Sequence, residues 1–151
     1  MNEIIFKTPS NQKEYKEYDL FRWEILRKPI GKDISSLKDG YEESAFDLIV
    51  IKNKRIIACG RLHLNNKEEA QIRYMAVAEN LQGTGIGKQV LKLLEENAEE
   101  CNVKRIVLNA RDHAINFYRI SGYETIKKYI YCFGTGYCSG PEISKPSRRT
   151  F

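Results

Sequence analysis

The sequence predicts an α/β fold, an α+β arrangement in which helices flank a mixed, mostly antiparallel central sheet. Three observations predict it. Three β-rich runs, at 45–52, 55–64 and 70–78, are joined by turns so short that the strands must be antiparallel neighbours. An amphipathic helix follows a glycine-rich turn and runs to about Glu100, with Ile86, Val90, Leu91, Leu94, Ala98 and Cys101 recurring on one stripe. A buried-type strand, Arg105-Ile106-Val107-Leu108, comes directly after it.

The remaining elements fall into order around these. Residues 3–6 read as a short first strand, ended by Pro9, and Ser10 can cap a helix over 12–28. Its apolar positions Tyr15, Tyr18, Phe21, Trp23, Ile25 and Leu26 lie largely on one stripe, and Pro29 and Gly31 stop it. Residues 32–44 are polar and read as a loop with one helical turn near 34–37. Asn53-Lys54 makes a tight hairpin, and Asn65-Asn66-Lys67 a second turn. In the third strand of the meander Ile72, Tyr74 and Ala76 share one face, with Arg73, Met75 and Val77 on the other. A short helix over 113–120, closed by Gly122, precedes a final strand over 123–133. Residues 134–151 are interrupted by Gly134, Gly136, Gly140, Pro141 and Pro146, and read as an irregular tail beyond a single domain at 1–133.

Composition narrows the function classes. The chain has 151 residues, 42% hydrophobic and 30% charged, enough for one well-buried core. Its longest clean apolar run is Leu48-Ile49-Val50-Ile51, far short of the roughly 20 residues a bilayer span needs. No membrane association and no signal peptide are expected. Four cysteines stand at scattered positions without a C-x-x-C, and neither histidine has a cysteine at ligand spacing, so reduced thiols in the cytoplasm and no metal site are expected. The net charge of +5 favours an anionic partner. The basic residues are dispersed, which disfavours nucleic acid; a phosphate-rich small molecule needs only a local patch.

That patch is the turn Gln82-Gly83-Thr84-Gly85-Ile86-Gly87-Lys88. Alternating glycines let backbone N–H groups close around a ligand. The following helix N-terminus adds unsatisfied donors and positive partial charge, and Lys88 a full charge. A Walker loop is excluded, because Gln82 and Gln89 stand where its first glycine and its hydroxyl belong. A dinucleotide turn is excluded too, because Val90 occupies the third glycine position and a hairpin meander precedes the turn.

Gln82-Gly83-Thr84-Gly85-Ile86-Gly87 resembles the Q/R-x-x-G-x-G/A motif of the GNAT superfamily of acyl-CoA N-acyltransferases. Ile72-Arg73-Tyr74-Met75-Ala76-Val77 is similar to the strand before that loop. Ala114-Ile115-Asn116-Phe117-Tyr118-Arg119-Ile120-Ser121-Gly122-Tyr123 resembles the family's A-x-x-F/L-Y-x-x-x-G-F/Y signature. The resemblance implies the GNAT fold, with a sheet splayed between strands four and five. It implies acetyl-CoA as cosubstrate, with its pantetheine arm along the main chain of Met75, Ala76 and Val77 and its pyrophosphate on the amides of Gln82, Gly83, Thr84, Gly85, Ile86, Gly87 and Lys88. Tyr118 then matches the general acid that protonates the departing thiolate, its other role being that of a core tyrosine. Asn109 is expected to contact the pantetheine arm. Arg111, where many members carry an asparagine, is expected to reach a phosphate or to stand on the surface.

The resemblance implies no base: Gln71 occupies the position of the strand-four glutamate found in some members, and Glu69, Glu79 and His63 are turn or strand-end residues. Water-relayed deprotonation is expected. Residues 134–141 do not read as the family's seventh strand, which leaves the acceptor-side wall incomplete, irregular, or supplied by a second subunit of a homodimer. The first helix and following loop carry Arg22, Arg27, Lys28 and Lys32 against Glu24, Asp33 and Asp39, near Tyr18, Trp23 and Tyr41. This favours a small-molecule amine as acceptor, with an arginine holding any acid group. The competing functional reading is a CoA-binding sensor or interaction module on the same fold.

Overall fold

Asn53 and Lys54 adopt φ of 52° and 63°, the left-handed pair that a two-residue hairpin turn requires. They set the first ladder of the computed structural model, which describes residues 3–127, 130–132, 137–139 and 142–146. The chain divides into two compact units, Met1–His63 with Tyr74–Asn97, and Leu64–Arg73 with Ala98–Phe151. Seven strands form mixed α/β sheet structure across the chain, and the fourth contributes residues to both units.

In the first unit β1 (Ile4–Lys7), β2 (Phe46–Lys52) and β3 (Arg55–Leu64) are antiparallel. The last four residues of β4 (Glu69–Val77) belong here. The register places Ile49 opposite Cys59 and Asp47 opposite Arg61. Alternation then sends Cys59 and Gly60 to opposite faces. On one face Tyr18 packs with Ile49, Cys59 and Ala76, and Phe21, Ile25 and Leu26 close around them. On the other, a Cβ added to Gly60 would lie 2.7 Å from Leu94 Cδ1, 3.1 Å from Val90 Cγ1 and 3.2 Å from Met75 Sδ, so α2 (Ile86–Glu100) sits directly on the sheet backbone.

Helix α1 (Gln12–Arg22) is capped by Asn11, whose Oδ1 accepts from Glu14 N at 2.9 Å. Ser10, expected as the cap, instead donates its amide and hydroxyl to the Glu14 carboxylate. Hydrogen bonds from Lys7 and Ser10 hold the Glu14 carboxyl down at about 2. The helix does not remain α-helical to residue 28. Residues Trp23–Arg27 form a π-helical turn, and Lys28–Ile30 a 3₁₀ turn in which Pro29 and then Gly31 end the element. The loop after it is pinned: Trp23 Nε1 donates to Lys32 O at 2.9 Å, and Tyr74 Oη to Leu37 O at 2.8 Å.

One buried ionic network ties these pieces together. Arg61 donates through Nε to Asp47 Oδ1 at 2.7 Å and through Nη1 to Asp39 Oδ1 at 2.8 Å. Tyr18 Oη donates to the same Asp47 oxygen at 2.5 Å. All of these side chains are almost wholly withdrawn from solvent.

In the second unit residues 69–72 of β4 pair in parallel with β5 (Arg105–Asn109), ending at Ile72 opposite Leu108. Ion pairs Glu68–Lys104 and Glu69–Arg105 brace that start. A 3₁₀ turn, Asp112–Ala114, leads into α3 (Ile115–Ile120), followed by β6 (Glu124–Lys127). Of the expected strand over 123–133, Glu124–Lys127 forms β6, and β7 (Ile130–Cys132) pairs with β8 (Tyr137–Ser139) in a separate two-stranded sheet, while residues 128, 129 and 133 lie outside the described residues.

The expected tail is not wholly irregular. Within it, β9 (Glu142–Pro146) runs antiparallel to both β5 and β6 and lies between them, supplying the seventh strand. Its Gly and Pro neighbours and single large apolar residue hide it from periodicity, because its place is fixed by backbone hydrogen bonds on two edges. Among the described residues no helix is long and apolar enough to cross a membrane.

Removing one partner of the buried pair leaves a charge uncompensated. Asp47→Ala is expected to lower unfolding free energy by about 3–5 kcal/mol, read from urea denaturation. Gly60→Val is expected to cost about 1–3 kcal/mol by overpacking the α2 contact, read as a lower thermal midpoint. A wild-type midpoint in either variant would contradict the packing described.

Candidate functional site

The glycine turn is built as a strand-to-helix connection in the first unit. After β4 a 3₁₀ turn, Glu79–Leu81, brings the chain round. Gln82 Nε2 reaches back to donate to Val77 O at 3.2 Å, fastening the turn to the strand end. Thr84 Oγ1 donates to Leu81 O at 2.5 Å, which spends the hydroxyl on the turn itself. Gly83 and Gly85 take φ of +82° and +91°, conformations that L-residues with a Cβ rarely adopt. A Cβ at either position meets nothing within 4 Å, so open space borders the backbone there. The first hydrogen bond of α2 runs from Gln89 N to Gly85 O, at 3.2 Å. The N–H groups of Ile86, Gly87 and Lys88 precede it and have no intrahelical partner. Ile86 is buried and anchors the helix, while Lys88 is exposed. This is a cradle of backbone donors at a helix N-terminus, suited to a phosphate or pyrophosphate.

The strand leading to the cradle carries an unusual feature. Tyr74 has φ of +55°, and a non-glycine residue there stores about 1–3 kcal/mol of strain. Its hydroxyl bond to Leu37 O and the thiol of Cys59, donating to Tyr74 O at 3.2 Å, hold the distortion in place. Burial pushes the Cys59 thiol up to about 12, so it stays a neutral donor. Beyond Tyr74, Met75 sits on the α2 face and Ala76 on the α1 face, with Val77 at the strand end.

Around the Tyr74 ring stand three guanidinium groups, of Arg22 at 4.7 Å, Arg27 at 5.2 Å and Arg61 at 5.6 Å. Arg22 also lies 4.1 Å from the Tyr18 ring centroid. The sequence offers Arg22 and Arg27 on the first helix as candidates to hold an acid group, but it gives no hint that they, with Arg61, converge on one ring. The signal for Arg61 and Asp47 is a charge inside an otherwise apolar strand run. His63, a strand-end residue, is buried and stacks on Tyr41 at 3.7 Å and 9°.

The second unit holds the other expected residues. Asn109 ends β5 opposite Glu142, and Arg111 follows, half-buried. Tyr118 is buried on α3, edge-on to Phe117 at 5.0 Å and to Tyr123 at 5.8 Å. Burial pushes its hydroxyl well above the usual tyrosine range. Gln71 Oε1 accepts from Asn65 at 3.0 Å, and Glu69 is held by Asn65 and Arg105, so both side chains are engaged locally. Glu79 stands in its 3₁₀ turn, exposed.

A meander ending in a phosphate cradle, followed by a helix and a parallel strand, defines an acyl-CoA-dependent transferase fold. The sequence matches the model of the acetyltransferase (GNAT) family over residues 4–123, and the chain belongs to that family; it is an N-acetyltransferase. It is 22% identical over 128 residues to the uncharacterised N-acetyltransferase YjcF of Bacillus subtilis, covering 85% of this chain and 89% of that protein. Its fold matches a GNAT-family acetyltransferase of Staphylococcus aureus with a TM-score of 0.76 and 19% identity, over 97% of this chain and all of that one. A GNAT acetyltransferase from Elizabethkingia anophelis, solved with acetyl-CoA bound, matches with a TM-score of 0.66 and 20% identity, over 96% and 97% of the two chains.

Gly85→Val is expected to leave the protein folded, since its side chain has room. It should weaken acetyl-CoA binding at least tenfold, because the strained turn no longer offers its amides. Calorimetric titration of the folded variant checks this; unchanged affinity would remove the cradle from the binding site.

Proposed function

We propose that this chain transfers an acetyl group from acetyl-CoA to the primary amine of a small molecule by direct attack. The observation that carries the reading is the positive-φ glycine cradle at the start of α2, joined through Gln82 to the end of the strand that carries Met75, Ala76 and Val77. In this reading the amides of 83–88 take the pyrophosphate, Gln82 N already donating to Glu79 O, and the main chain of 75–77 takes the pantetheine arm. Asn109 contacts that arm, and Arg111 a phosphate.

The acceptor must arrive as a neutral amine, because an ammonium has no lone pair; its proton leaves through water. The nitrogen attacks the thioester carbonyl, and the tetrahedral oxyanion needs a fixed N–H donor, for which a backbone amide of β4 is the candidate. Collapse breaks the C–S bond, the thiolate takes a proton from Tyr118, and the proton that the attacking nitrogen sheds as the amide forms returns the tyrosine to its neutral form. The raised Tyr118 hydroxyl keeps that proton through neutral and alkaline pH. The chain acts as a catalyst rather than a CoA sensor in this reading, since a buried tyrosine at the family's acid position is retained.

Following free thiol release with acetyl-CoA and a panel of free amines tests the proposal; no binding of acetyl-CoA, or no turnover of any free amine, would overturn it. Tyr118→Phe is expected to lower kcat by about 10²-fold or more while the acetyl-CoA dissociation constant stays within twofold. The pH profile of kcat/KM should rise as the amine loses its proton and show no fall up to about pH 10, because Tyr118 remains protonated there. A descending limb between pH 8 and 10 would assign the acid role to another group.

A further inference from the structure

The α1 side of the first unit contains a buried guanidinium whose donors are only partly satisfied by its own structure. Arg22 is 3% exposed. Its Nη2 donates to Asp19 Oδ1 at 2.7 Å, yet Nε and Nη1 are buried with no hydrogen-bond partner. Arginine cannot shed its charge to relieve this, and unsatisfied buried donors of a charged group are costly. The two neighbouring buried carboxylates, of Asp39 and Asp47, are both committed to Arg61. Asp19 is half-exposed at the edge. Three guanidinium groups thus stand around the Tyr74 ring, and Arg22 keeps two buried donors without a hydrogen-bond acceptor.

The backbone is shaped to produce this arrangement. In an α-helix, residues five apart point about 140° away from each other. The π-helical turn at Trp23–Arg27, with its i to i+5 geometry, brings Arg22 and Arg27 over the same Tyr74 ring. Tyr74 in turn holds a strained φ and directly precedes Met75. Two local irregularities, one in the helix and one in the strand, thus meet at an incompletely satisfied arginine beside the segment assigned to the acyl-carrying arm.

We infer that the acceptor is an amino-carboxylate, a small molecule whose carboxylate is received by Arg22 over the Tyr18 and Tyr74 rings while its amine faces the thioester. The inference rests on the acyl-transfer reading above and specifies its acceptor. A carboxylate supplies the anionic acceptor oxygen that the two unfilled Arg22 donors lack. The aromatic rings beneath the guanidinium exclude water and keep its fork planar to the incoming group.

The test compares free amino acids with their decarboxylated amines and their amides, on the unaltered protein with acetyl-CoA, by thiol release. The acids are expected to show kcat/KM about ten- to a hundredfold above their uncharged-end partners. Arg22→Gln should erase the difference by raising KM for the acids alone, with acetyl-CoA affinity unchanged, and Arg22→Lys should restore part of it. If Arg22→Gln does not fold, the paired substrates on the unaltered protein still decide. Equal turnover of acids and decarboxylated amines, with acetyl-CoA bound normally, overturns this inference and leaves the acyl-transfer reading standing. Absence of acetyl-CoA binding, or of turnover with every free amine, overturns both.

Discussion

The first unit depends on one cross-strand ion pair. Asp47 and Arg61 face each other on the α1 side of the β2–β3 ladder, where an apolar pair would ordinarily sit. A buried pair of this kind adds little net stability by itself, because desolvation offsets most of the attraction. Its consequence is positional. Asp47 also takes the hydroxyl of Tyr18 from α1, and Arg61 takes Asp39 from the loop. Helix, hairpin and loop are held to one another by directional bonds that no sliding hydrophobic contact could supply. Each partner is costly to leave unpaired, so alternative packings of the loop are penalised.

The second irregularity follows from that frame. Once Leu37 is fixed near the sheet, its carbonyl can hold the Tyr74 hydroxyl, and Tyr74 can keep a φ of +55° within a strand. The ring then becomes a platform for cations. Arg61 reaches it from its carboxylate-paired position, and the π-helical turn brings Arg22 and Arg27. Strain in strand and helix is tolerated here because the surrounding hydrogen bonds over-determine both, a condition usually met at functional sites.

The cradle obeys a simpler logic. Its donors are main-chain groups, so its chemistry depends on conformation rather than on side chains. Gln82 and Thr84 spend their side-chain polar atoms on holding the turn, and the amides at the start of α2 have no intrahelical partner. Tyr118 lies in the second unit, where aromatic neighbours and burial keep its hydroxyl protonated.

The family and most of the strands and helices were legible in the sequence because their signals are local. A two-residue turn, an apolar stripe, alternating glycines and a short tyrosine signature each fix backbone conformation within a few residues. Asn11 displaced Ser10 as the cap, a shift of one position between two residues able to do the same work. The strand Glu142–Pro146 was not legible, because its partners β5 and β6 are distant in sequence and its bonds are made by backbone, which leaves no trace in side-chain pattern. The same reason separates the cradle from the arginine cluster. Gln82 to Lys88 are contiguous, so the sequence alone marked this turn as a cradle of backbone donors. Arg22, Arg27, Arg61 and Tyr74 come from four elements, and the π-helical turn that aligns the first two is set by packing rather than propensity. Only the tertiary structure could decide that these charges converge, because convergence depends on register and helix phase across 52 residues of chain, from Arg22 to Tyr74.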